Sequence, residues 1–119
     1  MPTEPQPLTV SEAVHAAVEA SDDGSSEALD ELLERFEDDD EPISAVEDIE
    51  QLLERRVGPI EEGDPAFQMA CAMVIYLAHR RDEIAAEPTE LLRLTARSEF
   101  DAAPPPEVAQ WLEARGVTF

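Results

Sequence analysis

The chain has 119 residues, of which 29 are Asp or Glu and eight are Arg; it contains no Lys, and its formal charge at pH 7 is −21. Apolar residues make up 43% of the chain and recur at helical spacing, which argues against a disordered acidic tail. The single cysteine, Cys71, excludes an intrachain disulfide, and the longest apolar run, Met69–Ala78, is about half of a membrane span, so we expect a cytoplasmic protein.

The first elements in chain order are a lead-in and two helices. Residues 1–7 hold three Pro and show no helical period, so we predict a flexible lead-in to a single helical domain over residues 8–119. The first helix begins at a capping box of Thr9 and Glu12, and a second amphipathic helix follows it. The five consecutive acids at residues 37–41 repel one another too strongly for a packed segment and predict a solvated turn.

A third helix is predicted to begin at Pro42. Proline suits the first turn of a helix, and Ser44 with Glu47 offers a second capping box. The pair Gly58-Pro59 stops the helix. Its apolar stripe consists of Ile43, Val46, Ile49, Leu53 and Val57.

The fourth helix is the most apolar segment of the chain. Asp64 provides a capping acceptor, and Pro65 follows at a position where the missing N–H does no harm. From residue 66 to residue 78 nearly every position is apolar, which is typical of a helix that is buried on most sides. We therefore predict that this helix, at about residues 65–82, is the central element of the fold.

Two further helices complete the predicted fold. Pro88 begins a fifth helix, and a Pro-rich linker separates it from a short sixth helix that Gly116 closes. Val117 and Phe119 are expected to fold back onto that helix in a Schellman-type contact. Because no segment alternates apolar and polar residues, we predict an all-α fold, a compact bundle of five to six helices with antiparallel neighbours around the central helix.

The acidic composition resembles that of proteins from salt-accumulating haloarchaea. The chain contains no Lys, and its acidic residues outnumber its Arg residues by more than three to one. In dilute buffer the acidic side chains repel one another. In 1 M salt the Debye length falls to about 3 Å, so this repulsion is largely screened. We therefore interpret the acids as a coat suited to a halophilic cytoplasm.

A metal site is one hypothesis, because carboxylates are abundant. Glu12, His15 and Glu19 lie on one face of the first helix, and Glu12-x-x-His15 has the spacing of di-iron helix bundles. A di-iron site needs a second Glu-x-x-His pair, and the corresponding pair on the fourth helix, Tyr76-x-x-His79, has Tyr where Glu is required. We expect no cofactor and no catalytic residue, and a metal-dependent helical-bundle enzyme is the weakest alternative.

A nucleic-acid interface is a second hypothesis. Seven of the eight Arg lie after residue 54, and Arg80, Arg81, Arg93 and Arg97 could contact phosphates in a small DNA-binding or transcription-associated domain. The net charge is negative, however, and molar salt weakens phosphate binding. Neighbouring acids, such as Glu90 beside Arg93, are also expected to neutralise the cluster.

Protein interaction is the favoured hypothesis. One stripe of the fourth helix, Met69, Met73 and Tyr76, is predicted to exceed what the core needs, and Trp111 and Phe119 are predicted to lie exposed. Methionine and aromatic side chains suit adaptable helix contacts. The sequence therefore favours a non-enzymatic protein–protein interaction module, with a homodimer as one open form of it.

Overall fold

The computed structural model describes residues 8–22, 27–60, 64–80 and 87–119. These ranges hold a short 3₁₀ turn, Ile43–Ala45, and six α-helices: α1 Val10–Ser21, α2 Glu27–Phe36, α3 Ile49–Val57, α4 Pro65–His79, α5 Pro88–Glu99 and α6 Pro106–Ala114. Within them the sole β-type pairing is an isolated bridge between Thr9 and Pro42. The predicted all-α fold is confirmed, whereas the predicted lead-in at residues 1–7 lies outside the described residues.

Helix α4 is the centre of the bundle, as predicted. It begins as expected, because the Asp64 carboxylate accepts a hydrogen bond from the Phe67 N–H at 2.8 Å and Pro65 occupies the first turn. It contacts all five other helices, most extensively α1 and α5. It ends at His79, and the predicted extension to residue 82 falls partly outside the described residues.

One continuous cluster of apolar side chains fills the space around α4. Every helix contributes to it, and each fully buried aliphatic or aromatic side chain stabilises the fold by roughly 1.5–3 kcal/mol. The largest of these side chains are Leu29, Leu32, Phe36, Ile43, Leu53, Met69, Met73, Leu77, Leu92 and Leu112.

Helix α1 begins where the capping box predicts. The Thr9 hydroxyl oxygen accepts a hydrogen bond from the Glu12 N–H at 3.1 Å, and the same hydroxyl donates to the Glu12 carboxylate at 3.2 Å. The Thr9 cap is thus confirmed, while the Glu12 side chain bonds the hydroxyl of the cap residue.

The predicted third helix is wrong in its first half. Val10 N–H donates to the Glu41 carbonyl at 2.9 Å and Ile43 N–H donates to the Leu8 carbonyl at 2.8 Å, so this segment is held beside the start of α1. Only a 3₁₀ turn follows, and α3 begins seven residues after Pro42, at Ile49. Its cap is Asp48, whose carboxylate accepts from the Gln51 N–H at 3.1 Å, so the proposed Ser44–Glu47 box does not start the helix.

The end of α6 has the predicted Schellman geometry. Gly116 has a φ of +75°, Val117 N–H donates to the Leu112 carbonyl at 3.0 Å, and Gly116 N–H donates to the Glu113 carbonyl at 3.0 Å. Val117 is consequently buried against the core, whereas Phe119 remains exposed. The fold-back is therefore confirmed for Val117 and wrong for Phe119.

Candidate binding groove on helix α4

One face of α4 opens to solvent toward the end of the helix. Gln68, Ala72, Ile75 and His79 follow one another at spacings of four, three and four residues, so they lie on a single line along the helix. Gln68 and Ala72 are buried, at 7% and 6% exposure, whereas Ile75 is partly exposed and His79 is exposed, so the line reaches solvent toward the end of the helix. This line forms the floor of two cavities.

The larger cavity has a volume of about 810 Å³. Its floor is formed by α4, one wall by α3 and the residue Ile60, and the opposite wall by the end of α5 and the linker to α6. The lining combines apolar side chains with Gln68 and five acids. The residues that line it are Glu50, Glu54, Ile60, Gln68, Ala72, Ile75, Glu99, Phe100, Asp101, Ala103, Pro105 and Glu107.

A smaller cavity of about 410 Å³ continues the larger one toward the end of α4. The two share Glu50 and Ile75, and the smaller one is closed by the 3₁₀ turn on one side and by Ala78 and His79 on the other. We refer to the two cavities together as the α4 groove. Its length from Gln68 to His79 is about 16 Å, at a rise of 1.5 Å per residue.

The charge of the α4 groove is unbalanced. Five carboxylates line the larger cavity, and none of them forms an ion pair with an Arg that the structure describes. Burial raises the pKa of Glu99, the nearby imidazole of His79 lowers it in part, and the carboxylate of Glu50 raises it again. The groove is therefore a strongly negative concavity whose floor combines Ala72 and Ile75 with Gln68 and His79.

The stripe that the sequence favoured for interaction lies inside the protein. Met69 and Met73 have no exposed surface and Tyr76 is 5% exposed, because this side of α4 faces the bundle. Their burial excludes these three side chains from an exposed surface of the folded monomer. The side of α4 that reaches solvent is instead the one on which Ile75 and His79 lie.

A signal for this face was present in the sequence. Apart from Tyr76, the segment 66–79 contains two polar residues, Gln68 and His79. They are eleven residues apart, which is close to three full helical turns, so both lie on the same face. Polar residues that share a face of an otherwise apolar helix indicate the side nearest to solvent, and here His79 is exposed while Gln68 is 7% exposed.

Trp111 and Phe119 differ in their surroundings. Trp111 is partly buried, and the guanidinium of Arg115 lies over its ring at 4.8 Å from the ring centre. The same guanidinium donates to the Ala20 carbonyl at 3.1 Å and to the Asp22 carbonyl at 3.3 Å, at the end of α1. Trp111 therefore belongs to a contact between α6 and α1, whereas Phe119 is a single exposed aromatic side chain.

The predicted Arg cluster is interrupted by an acid. Arg93 Nε donates to the Glu90 carboxylate at 3.1 Å, and the pKa of Glu90 is lowered by this hydrogen bond and by the charges of Arg93 and Arg97. Arg80 and Arg97 are exposed, and Arg81 lies outside the described residues. The pairing of Arg93 with Glu90 is the one that the sequence predicts, and it reduces the positive charge available to a phosphate.

The residues of the metal hypothesis do not come together with other ligands. Glu12, His15 and Glu19 are exposed on the outer face of α1, and Glu12 takes part in the helix cap. Across residues 8–22, 27–60, 64–80 and 87–119, no three His, Cys, Asp or Glu side chains form a group that could hold a metal ion. Burial raises the pKa of the Cys71 thiol to about 12, so it is a protonated core residue at neutral pH.

In comparisons with known proteins, no family model, no curated protein sequence and no solved structure matches this chain. Among the described helices, none has the length and apolar character needed to cross a lipid bilayer.

Proposed function

We propose that this chain is a non-enzymatic protein-interaction domain that binds a basic amphipathic helix of a partner protein in the α4 groove. The observation that supports this function is the groove itself, which runs along three turns of α4, has Ile60, Ile75 and Phe100 in its lining, and carries carboxylates on α3 and on the segment from α5 to α6. Helix-in-groove recognition needs this combination, because the apolar face of the partner is buried while its charged residues meet the rim.

The dimensions of the groove fit a helix better than a small ligand. The larger cavity alone is near the upper end of the roughly 300–1,000 Å³ range of small-molecule pockets, and the second cavity extends it lengthwise. Two to three turns of a partner helix span the same length of about 16 Å. We therefore favour a protein segment as the occupant.

The charge of the groove selects among protein partners. A second copy of this chain carries the same net charge of −21, and like charges facing one another across an interface are unfavourable. A partner helix with Arg residues flanking an apolar stripe supplies the missing cations. Binding of a different, basic protein is thus favoured over a homodimer at this face.

The same groove suits a salt-rich cytoplasm, which we propose as the setting of this protein. Exposed ion pairs are screened in molar salt, but contacts that are partly buried are screened much less. Strongly salting-out ions also strengthen apolar burial. Apolar contacts with Ile60, Ile75 and Phe100 therefore keep their contribution under conditions in which a purely charged surface loses its affinity.

Peptide binding tests the proposal. The probe is a helical peptide of about 18 residues with a Leu stripe flanked by Arg, and its matched control is a scrambled peptide of equal composition that has no amphipathic face. We expect saturable binding of the first peptide, with NMR shifts of backbone amides concentrated in the α4 groove. The scrambled peptide reports on non-specific attraction to the acidic coat.

Substitutions locate the binding face. Ile75→Glu places a charge on the groove floor and is expected to weaken the peptide at least tenfold, whereas Leu33→Glu, at a partly buried site on α2, leaves affinity unchanged. Because Ile75→Glu could disturb folding, the surface pair Glu54→Arg and Glu107→Arg is measured beside it. Equal binding of both peptides, or equal affinity of the groove variants and the wild type, would contradict the proposed function.

A further inference from the structure

We infer that residues 100–105, which join α5 to α6, form a strap that closes over the larger cavity of the α4 groove when the partner helix binds. Asp101 and Ala102 are its hinge. This inference rests on the proposed function and adds the conformational step that accompanies binding. We refer to residues 100–105 as the α5–α6 strap.

The hinge is marked by its backbone conformation. Asp101 and Ala102 have φ values of 51° and 61°, and no other non-glycine residue that the structure describes has a positive φ. Residues other than glycine disfavour this region, because Cβ approaches the following carbonyl oxygen, and they enter it mostly singly. Asp tolerates it better than Ala does. Strained backbone of this kind is found at ligand clamps and switch regions.

The chain is fixed on both sides of the hinge. The Phe100 side chain packs against the core at the end of α5. After the hinge, three consecutive Pro at residues 104–106 have fixed φ values, and residue 103 is restricted to extended backbone because a Pro follows it. Val108 is fully buried and holds the start of α6. A movement of the strap is therefore absorbed mainly by the two hinge residues.

Few contacts hold the strap in the open position that the structure shows. It lines the larger cavity, and its residues 101–103 are exposed. Ala102 N–H donates to the Ala96 carbonyl at 3.2 Å, and Ala103 N–H donates to the Phe100 carbonyl at 2.8 Å. Exposed segments with few buried contacts rearrange most easily. Contacts with a bound helix favour a position of the strap nearer to the cavity, in which the hinge leaves the left-handed region.

Two substitutions of Ala102 test the strap in opposite directions. Thermal unfolding of the chain alone is measured beside binding of the Leu and Arg peptide described above, with the full chain at a salt concentration that keeps it folded. Ala102→Gly removes the strain, so it should raise the thermal midpoint and weaken the peptide about threefold. Ala102→Val increases the strain, so it should lower the midpoint and strengthen the peptide by about the same factor.

Ala114→Gly is the matched control. Ala114 is the exposed last residue of α6 and does not have a positive φ. Glycine there should lower the midpoint and leave peptide affinity unchanged. NMR provides a direct readout of the hinge, because the nuclear Overhauser effect between the amide and α protons of one residue is strong at positive φ. We expect this signal to be strong at Ala102 in the chain alone and weak once the peptide is bound.

The possible results separate the strap from the proposed function. Unchanged affinity of both Ala102 variants would overturn the strap, since the hinge would then keep its conformation on binding. Tighter binding by Ala102→Gly would overturn it as well, because the left-handed conformation would then belong to the bound state. If the peptide loses affinity with Ile75→Glu but binds both Ala102 variants like the wild type, the groove remains a binding site and only the strap is wrong. If the peptide does not bind the wild-type chain, both proposals are wrong.

Discussion

Arg115 holds two helix ends together through three contacts. Its guanidinium donates to two carbonyls at the end of α1 while it lies over the ring of Trp111. A cation at a helix C-terminus is also favoured by the helix dipole. One side chain thus joins the end of α6 to the end of α1, which are far apart in the sequence.

Replacing this side chain is expected to destabilise the fold. Arg115→Ala removes the two hydrogen bonds and the ring contact, and should lower the free energy of unfolding by about 1–2 kcal/mol. Urea unfolding at constant salt measures the change. Arg55→Ala is the matched control, because Arg55 is exposed and a surface substitution of this kind stays within about 0.5 kcal/mol. Equal stability of the two variants would contradict the role of Arg115.

Glycine is favoured at position 116 because of the backbone conformation there, and not because a larger side chain would clash. Its φ of +75° lies in the left-handed region, and a Cβ added there would have no atom within 4 Å. Gly116→Ala should therefore lower the free energy of unfolding by about 1 kcal/mol through conformation alone. Gly116→Asn is the control, since Asn tolerates this conformation and should lose less. Equal losses for Ala and Asn would show that conformation is not the cause.

Glu99 is expected to oppose folding at neutral pH. Its pKa in the folded state is raised, so the folded protein binds a proton more tightly than the unfolded chain does. Stability should then fall as the pH rises from the ordinary Glu pKa through the raised value. Glu99→Gln is predicted to raise the thermal midpoint at neutral pH and to have no such effect at pH values below the ordinary Glu pKa. A gain that is the same at both pH values would contradict this explanation.

At the scale of elements, the start of α3 shows where local signals compete. Ser44-x-x-Glu47 and Asp48 both read as helix starts, and the sequence pattern alone favours the earlier one. The hydrogen bonds from Val10 to Glu41 and from Ile43 to Leu8 decide between them, because they fix the preceding segment beside α1. Such a contact joins distant parts of the chain and leaves no local trace in the sequence.

Two alanine substitutions distinguish these helix starts. Asp48→Ala removes the acceptor for the Gln51 N–H and should lower the free energy of unfolding by about 1 kcal/mol. Ser44→Ala should change it by less than about 0.5 kcal/mol, since Ser44 is an exposed residue of the 3₁₀ turn. Chemical denaturation of both variants checks the pair. If Ser44→Ala lowered the free energy of unfolding more than Asp48→Ala, the result would support a helix that begins near Ser44.

The candidate site could be predicted only in part. That α4 is central follows from its apolar run, and the structure agrees, whereas the stripe predicted as surplus, Met69, Met73 and Tyr76, is buried. Which face is surplus depends on how α1, α3 and α5 pack around it, and Met69 and Met73 resemble an interaction stripe as readily as a core stripe. Glu50 and Glu99 line the same cavity as a result of tertiary packing, so no spacing along the chain reveals it.

At the scale of the whole molecule, the acid excess is spread unevenly. The outer face of α2 carries Glu27, Asp30, Glu31 and Glu34, all exposed, and one of them forms an ion pair with Arg35 at 3.4 Å. Exposed pairs of this kind contribute little to stability. The remaining acids therefore act mainly through mutual repulsion, which salt screens.

This repulsion predicts a salt-dependent stability. Transfer from about 2 M to about 0.05 M KCl lengthens the Debye length from a few ångströms to more than 10 Å, so repulsion among the acids should lower the free energy of unfolding by at least ~2 kcal/mol. Circular dichroism during thermal unfolding at each salt concentration measures this change. A variant with Glu27→Gln, Asp30→Asn and Glu34→Gln should depend less steeply on salt, because three repelling charges are removed from one face. If the wild-type chain unfolds at the same temperature at both salt concentrations, the acids are not a coat suited to brine, and their role must be sought in partner binding.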